Sequence, residues 1–509
     1  MPIPQPMSPG VYIDEIKSAV HTITGVATSV AAFIGRALKG PVDTPTSIDS
    51  LGAYQRTFGA LSMTSPMGFA VRDFFLNGGS QALIVRVANG AGTAGINLTA
   101  GSDNLQLVGS SAGKWGETLK ATVDYTQLNA ADTNLFNLTV TDGVSTEKYP
   151  SLSINTDDAR FAPRILEGSL LVRVKRDSSG NYLMPTARPG TAADVASSGA
   201  ADGSDIGTAQ IFSAGDKKGL HALDNADIFN LLVIPPYQFS GTNTDISETD
   251  FAAAASYCES RRAFLLVDPP ATWTSAATAL SGATAASGGF TNMSRNAALF
   301  FPRVTEPNPL HGNALEDFVP SGAIAGVFAR IDTQRGVWKS PAGTEAQLVG
   351  AAALKVSLTD TENAQLNSVG VNCLRSFPVI GRVVWGARTL KGADVLADEW
   401  KYTAVRRTAL FIEESLYRGT QWAVFEPNGD PLWAALRLNI GAFMQTLFRQ
   451  GAFQGTSARE AYFVKCDGET TTQNDIDNGI VNIIVGFAPL KPAEFVIIHL
   501  QQMAGDIST

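Results

Sequence analysis

From Gly219 onward the chain alternates short apolar runs with helical ones, and this rhythm constrains the fold more than any other feature. NLLVIPP, AFLLVDPP and NAALFFPRV read as strands that are apolar on both faces. Between and after them, ETDFAAAASYCESRR reads as a helix, WTSAATALSGATAASGG as helical or loose, and PSGAIAGVFARIDTQRGVW as a helix after a proline start. Strands lacking a polar face cannot lie against water. The block therefore predicts a largely parallel sheet covered by helices.

Upstream, TGVATSVAAFIGRALKGPVDTP combines a β-rich apolar stretch with a Gly-Pro turn, and QALIVRVA reads as a buried strand. SIDSLGAYQRTFGAL and SPMGFAVRDFFLNGG have helical spacing. In the latter, Met67, Val71, Phe74 and Phe75 share one stripe that Gly78-Gly79 ends. The texture changes between about 96 and 215. NLQLV, LKATVDY, FNLTVTDGVSTEKYPSLSI and SLLVRVKRD are short strand-like runs parted by polar turns, with a hairpin signal at Asp142-Gly143. After about 371, DEWKYTAVRRTALFIEESLYRG and DPLWAALRLNIGAFMQTLFRQG predict two long amphipathic helices, the first with Asp398 as a cap and Arg406, Arg407, Glu413 and Glu414 on its polar side. IVNIIVGFAPL and EFVIIHLQQ predict two further strands.

With 509 residues the chain exceeds one core, and roughly 100–200 residues per domain gives about three or four domains. The expected layout is a multidomain α/β and α+β protein. An N-terminal arm spans 1–22, and a central α/β domain is built from 23–95 and 216–370. A β-rich insert covers 96–215, and a C-terminal α+β domain covers 371–509.

Acids outnumber bases by 47 to 38, for a net charge of −9, and no basic stripe is visible, so nucleic acid is not an expected partner. The charged fraction of 17% fits either a large core or a surface covered by other subunits. No apolar run is long enough to span a membrane, and no charged leader precedes an apolar stretch, so neither insertion nor secretion is expected. Cys258, Cys373 and Cys466 lie far apart without His or Cys at ligand spacing, which predicts three reduced thiols and no metal site.

Two short motifs invite an enzymatic reading. GAGTAG, from Gly90 to Gly95, matches a dinucleotide-binding pattern, but its continuation INLTAGSDNLQLV reads as turn and strand rather than the helix a pyrophosphate needs. GSSAG, from Gly109 to Gly113, matches a nucleophile elbow, again without a helix after it. Asp268 ends a strand where α/β enzymes keep catalytic acids, but a turn-capping role accounts for it. No catalytic residue, cofactor or metal is expected.

The two ends carry the strongest signal. SPGVYIDEI follows a proline-rich leader, and GFAPLKPAEFVIIHLQQ closes the chain. Both resemble the terminal segments of contractile tail sheath proteins of phages and phage-like particles. GVNCLRSFPVIGRVVWGARTL, EWKYTAVRRTALFIEESL, FEPNGDPLWAALRLNI, ARIDTQRGVWKSPAG and NLLVIPP resemble segments of the same family. So does LQLVGSSAGKWGETLKATV, in which Ala112 to Glu117 stands where sheath proteins often carry a Pro-Gly-Trp-Gly-Asn-like turn. The resemblance covers nearly the whole chain and is weakest between about 129 and 215.

The resemblance implies a non-enzymatic subunit that stacks as hexameric rings around an inner tail tube. The sheath contracts to drive the tube through a bacterial envelope. Baseplate and tail terminator proteins would be further partners. The place of work would be a virion tail assembled in the host cytoplasm, or equally a headless tailocin-like particle; an α/β hydrolase is the rival from another class. The resemblance also implies that terminal arms are donated to neighbours, completing a sheet on the inner, C-terminal domain, with the insert outermost. Val11, Tyr12, Ile13 and Ile16 at one end, and Phe495, Val496, Ile497 and Ile498 at the other, are the expected exchanged strands. A strand on a flexible leader is independently the form of a β-augmentation donor. Lys401, Arg406, Arg407 and Arg418 are the candidates for contact with the tube.

Overall fold

A computed structural model describes residues 21–129, 131–213, 217–239, 244–285 and 289–499. The chain forms two compact units, one of 28–335 with 340–406, the other of residues up to 27, 336–339 and 407 onward.

The larger unit is built on an eight-stranded sheet. Its strands run in the order Gly381–Val384, Val371–Phe377, Ala297–Phe301, Phe264–Val267, Leu231–Val233, Ala31–Gly35, Ala82–Arg86 and Thr46–Ile48. The six inner strands pair in parallel, for example Ala31 with both Leu231 and Ala82, and the strand at each edge is antiparallel. Ala31–Gly35, Leu231–Val233, Phe264–Val267 and Ala297–Phe301 are buried at every position, as strands covered on both faces must be. Val371–Phe377 pairs with Ala297–Phe301, so the residues just after 370 belong to this sheet rather than opening the C-terminal domain.

On the sheet, the helix Pro66–Leu76 packs against Ser321–Arg335. Contact is backbone to backbone. A Cβ on Gly322 would lie 2.2 Å from the carbonyl oxygen of Ala70, and one on Gly326 would lie 2.4 Å from that of Phe74. Two glycines one helical turn apart therefore set the approach of the helices.

Residues 95–196 form two antiparallel sheets. Gly95–Ala100, Asp103–Gly109 and Val172–Val174 make one; Lys120–Asp124, Leu135–Thr141, Thr146–Ser153 and Ala192–Ala196 make the other. They share a core that includes Leu98, Leu107, Phe136, Leu138 and Leu152. The Asp142-Gly143 turn is a hairpin. Asp142 Oδ1 accepts the N–H groups of Val144 (2.9 Å) and Ser145 (2.6 Å), and Gly143 takes φ 87°.

Arg86 ties the insert to the sheet. It is 2% exposed at the end of its strand. Its Nε, Nη1 and Nη2 donate to the carbonyls of Ala37 (3.0 Å), Gly40 (2.7 Å) and Ala112 (2.7 Å). Burial pulls its pKa down to about 10, which still leaves the guanidinium charged at neutral pH.

A second buried arginine site faces two acids. Arg72 Nε donates to Asp73 Oδ1 at 2.7 Å, and its Nη2 donates to Glu306. Asp73 and Glu306 are buried, and burial together with the charge of Asp73 raises the pKa of Glu306. A carboxyl whose pKa is raised by folding favours the native state at low pH and ceases to do so as pH rises through the folded value. Thermal stability is therefore expected to decline as pH rises from the ordinary glutamate range through neutrality to about 9, and to level off above that. Glu306→Gln, which keeps the shape without the charge, is expected to flatten that decline when melting is tracked from about pH 6 to about pH 9.5, a range that spans the raised titration. An unchanged alkaline limb would remove Glu306 as its source.

Candidate assembly surface

In the smaller unit, the helix Asp430–Arg449 and the part of Thr403–Gly419 beyond Arg407 enclose a core of Ile412, Ile440, Phe443, Met444 and Leu447. The first described residues of the chain lie on this core. The N–H of His21 donates to Asn439 Oδ1 at 3.2 Å, and its ring stacks on Trp422 at 4.1 Å between centroids. Ile23 is 6% exposed, and the N–H of Val26 donates to Ser415 Oγ at 3.2 Å. This fixes where the expected N-terminal arm departs. The arm's own candidates, Val11, Tyr12, Ile13 and Ile16, lie outside the described residues.

The other end leaves from a hairpin. Tyr462–Lys465 pairs antiparallel with Ile484–Phe487, Tyr462 opposite Phe487 and Lys465 opposite Ile484. The chain is still held at Ala488, whose carbonyl accepts the N–H of Gln454 (2.9 Å) and whose N–H donates to Ala461 (2.8 Å). Past Pro489 no strand forms among the described residues. Phe495, Val496, Ile497 and Ile498 are 74%, 81%, 77% and 76% exposed. EFVIIHLQQ was expected as a strand; its described part, residues 494–499, is not one in the isolated subunit, because no described strand of the chain meets it. Four large apolar side chains in water forgo about 1.5–3 kcal/mol each relative to full burial. An apolar run of this kind marks a binding segment more often than a free surface.

The four basic candidates separate. Arg406 is 5% exposed, donates from Nε to Asn296 Oδ1 at 2.8 Å and lies over the Trp400 ring at 5.0 Å. Arg407 is 3% exposed. Both were expected on a polar face, but Thr403 to Leu410 are buried on every side, so this stretch has no such face. Glu414, also expected there, is 9% exposed. Lys401 and Arg418 keep side-chain exposures of 24% and 32%, paired with Asp394 and Glu414 at 2.7 Å each. Asp398 was expected to cap the helix; it instead accepts the N–H of Trp400 at 2.7 Å, ahead of the helix start at Thr403.

The motifs with an enzymatic look are structural turns. GAGTAG leads into the strand Gly95–Ala100, and GSSAG leads into a short 3-10 turn, Lys114–Thr118, then a strand. Ser111 Oγ accepts the N–H of Gly40 at 2.9 Å, beside the Arg86 clamp. Asp268 accepts both the N–H (2.9 Å) and the hydroxyl (2.7 Å) of Ser321 at the start of its helix, and burial pushes its carboxyl up to about 7. Among the described residues no cluster of His, Cys, Asp and Glu could hold a metal, and no helix is long and apolar enough to cross a membrane.

Comparison with known proteins gives one consistent answer. Residues 217–390 match the phage tail sheath protein central domain, and 397–502 match the phage tail sheath C-terminal domain, together more than half of the chain. A putative prophage major tail sheath protein of Pseudomonas aeruginosa (strain UCBPP-PA14) is 25% identical over 184 residues. That match covers 36% of this chain and 45% of the relative, so it spans less than half the relative's length. Among solved structures, the helical sheath of the anti-feeding prophage in its contracted state aligns with TM-score 0.58 and 25% identity, covering 97% of this chain and 99% of that one. The sheath of an extracellular contractile injection system (PVC), contracted, gives TM-score 0.60 at 23% identity, with 97% of both chains covered. A sheath tail protein of Listeria innocua shares the fold at TM-score 0.62 and 14% identity over 92% of this chain and 96% of that one. The chain belongs to the phage tail sheath protein family.

Proposed function

We propose that this chain is the structural, non-catalytic subunit of a contractile sheath. It polymerises as stacked six-membered rings around an inner tube and shortens to drive that tube through a bacterial envelope. The observation that carries the reading is the run Phe495–Ile498, apolar and exposed beyond the last hairpin. In the assembly it adds as a strand to a neighbour, as does the N-terminal segment through Val11, Tyr12, Ile13 and Ile16. Five or six backbone hydrogen bonds at about 0.5–1.5 kcal/mol each are offset by ordering costs of about 1–2 kcal/mol per residue, so the net gain comes from burying the apolar side chains, about 1.5–3 kcal/mol apiece where burial is full. One arm is then a modest clasp, and many clasps in a lattice let subunits rotate without separating. A contact that does not close on itself extends into a filament.

Lys401 and Arg418 remain the proposed contacts to the tube, the two of the four basic candidates whose side chains keep some exposure. A baseplate and a terminator complete the proposed partners, and the assembled particle tail, built in the host cytoplasm, is the proposed place of work. The sheath of a headless injection particle is an equal reading, supported by the similarity to the injection-system and anti-feeding-prophage sheaths. The test is negative-stain microscopy of the full-length protein beside versions lacking residues 1–18 or 491–509. Regular hollow tubes from the full chain, lost in both truncations, are expected. Tubes that survive both truncations would overturn the strand-exchange reading. Failure of the full chain to polymerise even on a supplied inner tube would count against the sheath itself.

A further inference from the structure

In the smaller unit, the loop between the helices Thr403–Gly419 and Asp430–Arg449 holds an aromatic side chain out in water under backbone strain. Phe425 is 103% exposed, and Val424 beside it is 62% exposed. Its φ of 70° lies in the left-handed region, where a bulky side chain is an outlier, and among the described residues it is the only aromatic one there. A glycine or asparagine at 425 would adopt this conformation with less strain and would give up no packing. A strained residue that adds nothing to its own fold has its task elsewhere. We propose that Phe425, with Val424, is an interface anchor that packs against a second copy of this chain, an inference that rests on the sheath reading.

The anchor stands on a fixed frame. The N–H of Val424 donates to the carbonyl of Gln421, and that of Glu426 to the carbonyl of Ala423, both at 3.2 Å. Beyond it, Asn428 donates from Nδ2 to the carbonyl of Ile480 at 2.9 Å, and its Oδ1 accepts Trp433 Nε1 at 2.9 Å. Ahead of it, the Trp422 ring is stacked with that of His21. The loop is thus tied on both sides of Phe425, so docking has little backbone freedom left to remove. A phenylalanine brings about 150–250 Å² to a contact, the largest payload after tryptophan and of the kind that dominates interfaces.

Two observations favour a second copy as the occupant. The first is where the chain leaves this unit. His21, stacked on Trp422, is the first described residue, so the twenty residues before it depart from beside this loop. In the sheath reading they go to a neighbouring copy, and that neighbour then begins where Phe425 and Val424 stand. The second is charge. Copies that each carry −9 repel at a distance, so groups without charge must supply the attraction at close range. From Gly419 to Phe425 the chain carries no charged residue.

The test uses the full-length chain and reads stability and assembly separately. In the unassembled protein, Phe425→Gly should leave the urea midpoint unchanged or raise it, because strain is relieved and no packing is lost. The same variant should raise the concentration needed for tubes about tenfold or more, as loss of an aromatic anchor does. Phe425→Trp, which keeps an aromatic anchor, should assemble near the parental concentration. A lowered midpoint in Phe425→Gly, or tubes at the parental concentration, would overturn the proposal. Phe425→Cys carrying a benzophenone maleimide identifies the partner, since Cys258, Cys373 and Cys466 are buried and leave position 425 as the labelled site. With a little of this chain mixed into unlabelled chain and assembled on a supplied inner tube, irradiation should give chain-to-chain adducts mapping to one place on the partner copy. Adducts confined to the tube protein would overturn the second copy as occupant. If the unaltered chain forms no tubes, the sheath reading fails, and the loop is judged in solution. Chain-to-chain adducts at 425 that grow with concentration would uphold the contact there, and their absence would remove it.

Discussion

Gly322→Ala is expected to destabilise the larger unit by about 3 kcal/mol, at the upper end of what overpacking costs, and Gly322→Val by more. The added methyl would sit 2.2 Å from the carbonyl oxygen of Ala70, which is helix backbone and cannot swing aside. Ser321–Arg335 and Pro66–Leu76 would have to part, opening voids around Phe74 and Phe328, both buried in the present packing. Gly441→Ala is the control. It lies inside the helix Asp430–Arg449, and its Cβ would meet nothing within 4 Å. There the same substitution should stabilise by roughly 0.5–1 kcal/mol through helix propensity. Urea titration of the two variants beside the parent measures both. Shifts of the same sign would show that close helix approach does not decide the cost.

Arg86→Met is the second large effect, with an expected loss of about 3–5 kcal/mol. The change strands three carbonyls, of Ala37, Gly40 and Ala112, at about 1–3 kcal/mol each, partly offset because a buried charge no longer has to be desolvated. Arg86→Lys should recover less than half, since an ammonium cannot reach three acceptors as a planar fork does. The distinguishing readout is local. Exchange should quicken first at 37–40 and 109–116, where the insert joins the sheet. Uniform quickening across the unit would mean that Arg86 stabilises the whole without fixing that junction.

The middle of the central sheet was legible because four of its strands are apolar at every position and its helices are not, a contrast carried within single segments such as NAALFFPRV. The hairpin at Asp142-Gly143 was legible for an equally local reason. Val371–Phe377 was not placed in that sheet, because membership depends on pairing with Ala297–Phe301, about seventy residues upstream, and no periodicity encodes it. Arg406 and Arg407 were misread for a related reason. Helical spacing gives a side, but it cannot say that the other side is buried too, here with Asn296 against Arg406. The exposed C-terminal run was legible as apolar, but the strand expected there does not form among the described residues.

The hairpin of the insert has a practical consequence. Its strands, Leu135–Thr141 and Thr146–Ser153, are anchored by Phe136, Leu138 and Leu152, while Val144 at its tip is 95% exposed. A peptide spliced between Gly143 and Val144 would lengthen a loop already in water, at an entropic cost that grows only with the logarithm of its length. One such splice per gene copy would recur at every repeat of a polymer, so this turn is the natural point for grafting an epitope or an enzyme onto the particle in dense array.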